Sequence, residues 1–186
     1  MVTTDVLENL IVFGLFPAWL AAGFADWLCH RSSRIEQTSG ARESALHVAL
    51  YLEISLPVVA ALFVRVNALV LVLMGLAVAL HFATSLADTR YSQPRRYISP
   101  LEQQIHGLLE TLPLFALVLL VLLTRTELHT PTFDLQLRKP ALPAAVVLAT
   151  LGALALGLAF IIEEWLRCRR YTRATLIAAS PGAANE

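Results

Sequence analysis

Five apolar stretches, at about 8 to 28, 45 to 64, 66 to 87, 104 to 124 and 141 to 162, constrain this chain more than any other feature. Each reaches the roughly 20 residues that carry a helix through the hydrocarbon layer of a bilayer. In that layer a backbone satisfies its N–H and C=O groups only as a helix or a closed barrel, so the pattern predicts an all-α fold. Composition agrees, with 57% hydrophobic residues, 15% charged residues and a mean hydropathy of +0.66. The expected architecture is one integral membrane bundle of five transmembrane helices over residues 1–170, followed by a disordered cytoplasmic tail over 171–186. Only Arg65, Val66 and Asn67 separate the second and third stretches, which must therefore form a tight antiparallel hairpin.

Basic residues set the expected orientation, because cytoplasmic loops are enriched in Lys and Arg. Arg31, Arg34 and Arg42 follow the first helix, Arg90, Arg95 and Arg96 the third, and Arg167, Arg169, Arg170 and Arg173 the fifth. The other side holds only Arg65, Arg125, Arg138 and Lys139. This places the chain in an inner or plasma membrane with its N-terminus outside and its C-terminus in the cytoplasm. Asp5 and Glu8 stand where a signal peptide would carry basic residues, so the first helix reads as a retained span.

Into this apolar background the sequence sets acids and histidines at helical spacing. Asp26 and His30, Glu43 and His47, and Glu102 and His106 stand four residues apart, and His81 and Asp88 seven apart. Both spacings put the two side chains on one helical face. All eight residues fall at the cytoplasmic end of their helices, within about two turns of the boundary at a rise of ~1.5 Å per residue. Charged groups inside membrane segments are costly and mark function by default. The pattern predicts a dinuclear metal site among the first four helices, with Asp26, His30, Glu43, His47, His81, Asp88, Glu102, His106 and Glu110 as its residues. Glu110, four beyond His106, extends the stripe as a bridging or outer carboxylate. Glu53, six beyond His47, points elsewhere and takes a lesser outer role, orienting ligands or relaying protons. Glu163 and Glu164 reach the same level on the fifth helix.

Each residue also has a purely structural reading. Ser99, Pro100 and Glu102 make a capping box with proline at the first helical position, and Glu43 complements a helix dipole in a first turn. His30 adjoins Arg31 at an interface, where an imidazole is readily solvated. A fully paired ionic network that fixes helix packing would use the same side chains. His47, His81 and His106 resist that account, since the apolar sequence around them leaves few uncharged partners.

Imidazole mixed with carboxylate suits iron, manganese or zinc, and the stripes contain no thiolate. Cys29 and Cys168 are too far apart in sequence to indicate a shared site. Four histidines with four or five carboxylates exceed one tetrahedral ion and suit two divalent ions, iron first among them. In inventory this set is similar to the ferritin-like carboxylate bundles, although those space acid and histidine by three and this chain by four. The dense histidine boxes of membrane desaturases and hydroxylases are missing, and no family is assigned.

Two irons imply an oxidoreductase of oxygenase, desaturase or oxidase type, acting on a lipid-soluble substrate from the cytoplasmic leaflet. The sequence carries no nucleotide-binding glycine loop, so electrons would come from a donor protein. Two zincs imply instead a hydrolase of lipid amide or ester bonds. A non-enzymatic metal-binding or transport protein is a third class, disfavoured because transport sites lie near the midplane between broken helices. Nothing points to a nucleic acid. The loop from 89 to 101 reads first as a basic anchor with interfacial tyrosines and second as a lid on the site or a hold for an anionic lipid head group, and His129 falls on the opposite side from the cluster. Ala149, Ala153 and Gly157 recur every four residues as a face for close helix contact.

Overall fold

The computed structural model describes residues 4–179, apart from the side chains at 126 and 127. Five helices in it are long and apolar enough to cross a membrane: α1 (Thr4–Ser33), α2 (Gly40–Phe63), α3 (Ala68–Ser92), α4 (Pro100–Leu123) and α5 (Ala144–Ala178). Among the described residues there is no strand, only one bridge between Val64 and Leu137. That bridge ties the α4–α5 connection across the α2–α3 turn, with Arg65 N–H donating to Gln136 O at 2.8 Å.

Local chemistry sets the helix limits. In α1 a π-helical stretch, Leu10–Leu15, precedes Pro17, which has no N–H to offer the Phe13 carbonyl. The Phe16 N–H reaches back to the Ile11 carbonyl instead. Gly40, at a φ of 67°, supplies the left-handed turn that admits the chain into α2. The Asn67 side chain closes the predicted hairpin by accepting from Val70 N–H at 3.1 Å, and the Ser99 hydroxyl accepts from Glu102 N–H at 3.1 Å. Helix α5 runs through Ala178, so the tail boundary expected at residue 170 falls inside a helix. Hydroxyls of Thr172 and Thr175 bond carbonyls one turn back, and the alanines, leucine and isoleucine there favour helix. The rest of the expected tail, 180–186, lies outside the described residues.

The helices close a ring: α1 packs on α4 and α5, α2 on α3 and α5, and α3 on α4. Burial in this ring is inverted relative to a water-soluble bundle. Among the described residues the fully buried side chains are mostly polar, His30, Glu43, Glu102, Glu164, Asn67, Ser44 and Ser92, with Ile35 and Cys168 the apolar ones. Leu56, Leu76, Phe115 and Leu148 meanwhile face outward. An apolar outer wall around a polar interior is what a bilayer solvent selects. Apolar packing fills the remainder of the interior, with Trp19, Ile54, Val78 and Leu154 in one cluster and Val66, Val70, Leu71 and Met74 in another.

One residue of the small-residue face on α5 makes the expected close contact. A Cβ on Gly157 would lie 2.8 Å from the Tyr51 hydroxyl oxygen, which donates to Leu154 O at 2.5 Å and whose ring stacks on Trp19. Gly157→Ala is therefore expected to lower stability by about 1–3 kcal/mol through overpacking. Thermal unfolding in detergent measures this, and Tyr51→Phe should be less damaging in the Gly157→Ala background than alone, because both changes strike one contact.

Candidate metal centre

At one end of the ring, α1, α2 and α4 bring six of the sequence-predicted residues into two overlapping groups. Asp26, His30, Glu102 and His106 form one; His30, Glu43 and His47 form the other; within each group the ligand atoms lie within 4.8 Å of one another. The helical spacing does this work directly, since each acid sits one turn from its histidine. His106 Nε2 is 3.0 Å from Asp26 Oδ1, and His30 Nε2 is 3.2 Å from Glu102 Oε1 and 3.5 Å from Asp26 Oδ1. Asp88 on α3 adjoins the second group, with Oδ2 3.6 Å from His47 Nε2. Bonds of about 2.1 Å to one ion set neighbouring ligand atoms about 3.0 Å apart at right angles and about 3.4 Å apart at tetrahedral angles. The observed spacings bracket those values. Asp26 Oδ1, His30 Nε2, His47 Nε2 and Asp88 Oδ1 are all buried without a hydrogen-bond partner, although other ligand atoms stand so close.

Glu164 organises the two central histidines. Its Oε2 lies 3.0 Å from His30 Nδ1, and its Oε1 lies 2.7 Å from His47 Nδ1 and accepts from the Ser44 hydroxyl at 2.9 Å. With both Nδ1 atoms turned to this carboxylate, the two rings stack at 4.4 Å and 9°, and their Nε2 atoms project side by side toward the remaining acids. A carboxylate behind a histidine fixes its tautomer and ring direction in the manner that metal sites require. Glu163, the preceding residue, turns outward to Trp27, Arg31 and Arg167. Sequence reasoning noted the level of Glu164 and assigned it no role; a helix without a histidine gave no spacing to read.

Arg96 is the second residue to which sequence reasoning gave no part in the cluster. The loop expected to be a surface anchor folds inward, and the buried guanidinium donates from Nε and Nη2 to Glu43 at 2.9 and 2.5 Å and from Nη2 to Glu102 at 2.5 Å. Burial alone would lower the Arg96 pKa, but the Glu102 and Glu43 carboxylates outweigh it and hold the group above its ordinary value. Glu102 is thus more than a capping residue: its backbone meets Ser99 while its carboxylate faces His30 and Arg96. Arg96→Met is expected to destabilise the metal-free protein by about 3–5 kcal/mol, the consequence of leaving buried acids unpaired. Thermal unfolding would read this, and an unchanged midpoint would mean that the guanidinium does not compensate those acids.

His81, Glu53 and Glu110 occupy a separate tier. The seven-residue spacing does place His81 and Asp88 on one face of α3, but two turns, about 10 Å, separate them along the axis. His81 Nδ1 lies 3.6 Å from Glu53 Oε2, while Glu53 Oε1 accepts from Thr84 at 2.7 Å and Glu110 accepts from Ser85. Glu53 therefore faces this interior tier rather than pointing away, and neither His81 nor Glu110 joins the two ligand groups. A cavity of about 460 Å³ connects the tiers, bounded by Asp26, His47, Asp88 and His106 at one end and by Trp19, Leu20 and Ala153 at the other.

Fold and site together define a five-helix bundle with a buried histidine–carboxylate cluster able to ligate metal. Comparison with known protein families, curated proteins and solved structures finds no match.

Proposed function

We propose that this protein is an integral membrane metalloprotein that holds two divalent cations, iron foremost, and acts as an oxidoreductase on a lipid-soluble substrate. The observation that carries this is Glu164 gripping the Nδ1 atoms of two stacked histidines, so that both Nε2 atoms face a ring of carboxylates. Paired catalytic ions stand about 3.5–4 Å apart, close to the separation of the two rings. Charge favours the same conclusion. Asp26, Glu43, Asp88, Glu102 and Glu164 face a single guanidinium, that of Arg96, and with neutral imidazoles two divalent cations would offset the excess. In a metal-free ionic network, protonated His30 and His47 would offset only part of that excess.

The cluster lies at the end where Arg31, Arg42, Arg90, Arg95 and Arg167 gather, which we read as the cytoplasmic side, with the N-terminus outside. A redox metal bound there would supply electron-transfer or dioxygen chemistry. The chain's own residues would hold and orient it: His30 and His47 are fixed by Glu164, and Glu43 and Glu102 are steadied by Arg96. The test loads metal-free protein in lipid nanodiscs with Fe(II), Mn(II) or Zn(II) without oxygen, then follows dioxygen uptake on mixing with air-saturated buffer. Iron-loaded wild type is expected to consume dioxygen, and iron-loaded His106→Ala to do so roughly tenfold or more slowly. Absence of uptake by the iron form would withdraw the oxidoreductase, and zinc-dependent cleavage of a lipid ester would put a hydrolase in its place.

A further inference from the structure

We propose that the cavity beside the metal centre binds an uncharged lipid bearing a hydroxyl group. Its polar group is held in the tier of His81, Ser85 and Glu110, and its apolar part lies along Trp19, Phe24, Leu156 and Phe160. This deepens the substrate class proposed above and rests on that reading for the chemistry, though the binding itself does not need the metals.

The cavity falls within the range of small-molecule sites, and a few polar groups in a largely apolar wall are what fix a ligand's orientation in such sites. All five helices line it. His81 is 4% exposed, and its Nδ1 has no hydrogen-bond partner; Glu53 Oε2 beside it has none either, and at 3.6 Å the two are too far apart to satisfy each other. Hydroxyls of α3 engage the other sides of the tier, Thr84 on Glu53 and Ser85 on Glu110. His81, Ser85 and Glu110 line the cavity, with Glu53 behind His81. Plain hydrocarbon would give these lining groups no polar partner, an expensive state inside an apolar bundle. A hydroxyl, which both donates and accepts, supplies one. An anionic head group is repelled by Glu53, Glu110, Asp26 and Asp88, and a cationic one would lose its hydration deep in the bundle. Glu110 stands one helical turn, about 6 Å, beyond His106, so a polar group held at this tier brings its neighbouring carbons toward the ligand tier. The walls suit flat or chain-like groups, with Trp19 stacked on Tyr51 at 5.5 Å and Phe24 against Phe160 at 5.1 Å.

The test titrates tritiated 1-hexadecanol into the full chain purified in detergent, with decyl-benzoquinol and hexadecane as competitors and metal content read on the same samples. One saturable site per chain is expected, with the quinol competing and hexadecane failing to compete. The affinity of the quinol relative to that of hexadecanol tells a quinol site from a fatty-alcohol site. Glu110→Ala and His81→Leu should weaken binding roughly tenfold or more by removing the polar anchor. Leu156→Trp, which fills the apolar part, should block binding while leaving metal content intact. Should a polar-tier variant fail to fold, Ser85→Ala takes its place. No saturable binding in metal-bearing protein overturns the proposal and leaves the metal centre standing; equal competition by hexadecane overturns the polar anchoring. Saturable, anchor-dependent binding to a chain that takes up no metal upholds the proposal and removes the metal reading.

Discussion

Alanine at position 30 is expected to strip the protein of both metal ions at once. His30 is the residue shared by the two ligand groups, its Nε2 facing Asp26 and Glu102 and its ring stacked on His47. Removing it takes a nitrogen from one ion and the support of the neighbouring imidazole from the other. His106→Ala, confined to the first group, should instead lose one ion ahead of the other. In the metal-free state His30→Ala also leaves Glu164 and Glu102 without a partner they had, so about 3–5 kcal/mol of stability should go with it. Metal content and thermal unfolding, measured on one preparation, separate the two consequences. A variant that keeps two ions would show that the ligands lie elsewhere, and one that unfolds in membranes with no change in metal uptake would describe a packing network.

Replacing Glu164 with glutamine should weaken metal binding by about 10–100-fold while the bundle still assembles, the range found when a carboxylate behind a histidine ligand is removed. Glutamine keeps the shape, and its carbonyl oxygen can still accept from one histidine, but its amide nitrogen then meets the N–H of the other. One ring must turn, and its Nε2 leaves the site. Glu163→Gln is the natural control, because that side chain is half-exposed and bonded to Trp27 and Arg31 outside the cluster. Competition with a chelator of known affinity measures both, and equal effects of the two substitutions would contradict the role given to Glu164.

What the sequence disclosed and what it hid follow physical lines. The five helices were legible because hydrocarbon leaves a backbone no other open form, and the α2–α3 hairpin because three residues permit nothing longer. The acid–histidine pairs were legible because a spacing of four fixes a shared face whatever the tertiary structure does. Shared depth was a weaker guide. His81 shares a face with Asp88, yet lies two turns deeper and meets Glu53, whose position six beyond His47 seemed to turn it away. Glu163 and Glu164 differ by one residue and about 100° of helix, and only the packing of α5 against α1 and α2 decides which one enters the interior. Arg96 was hidden by the positive-inside rule itself, which explains every loop arginine equally well and so does not single out the one that turns in. The cavity depends on all five helices at once and left no mark in any single stretch.

The central claim is tested most directly by inductively coupled plasma mass spectrometry of the full chain, purified in detergent without chelators, beside His30→Ala and His129→Ala. About two transition-metal ions per chain are expected in the wild type and in His129→Ala, and close to none in His30→Ala. No stoichiometric metal in the wild type, even after reloading, would contradict the account and leave the buried cluster as a paired polar network.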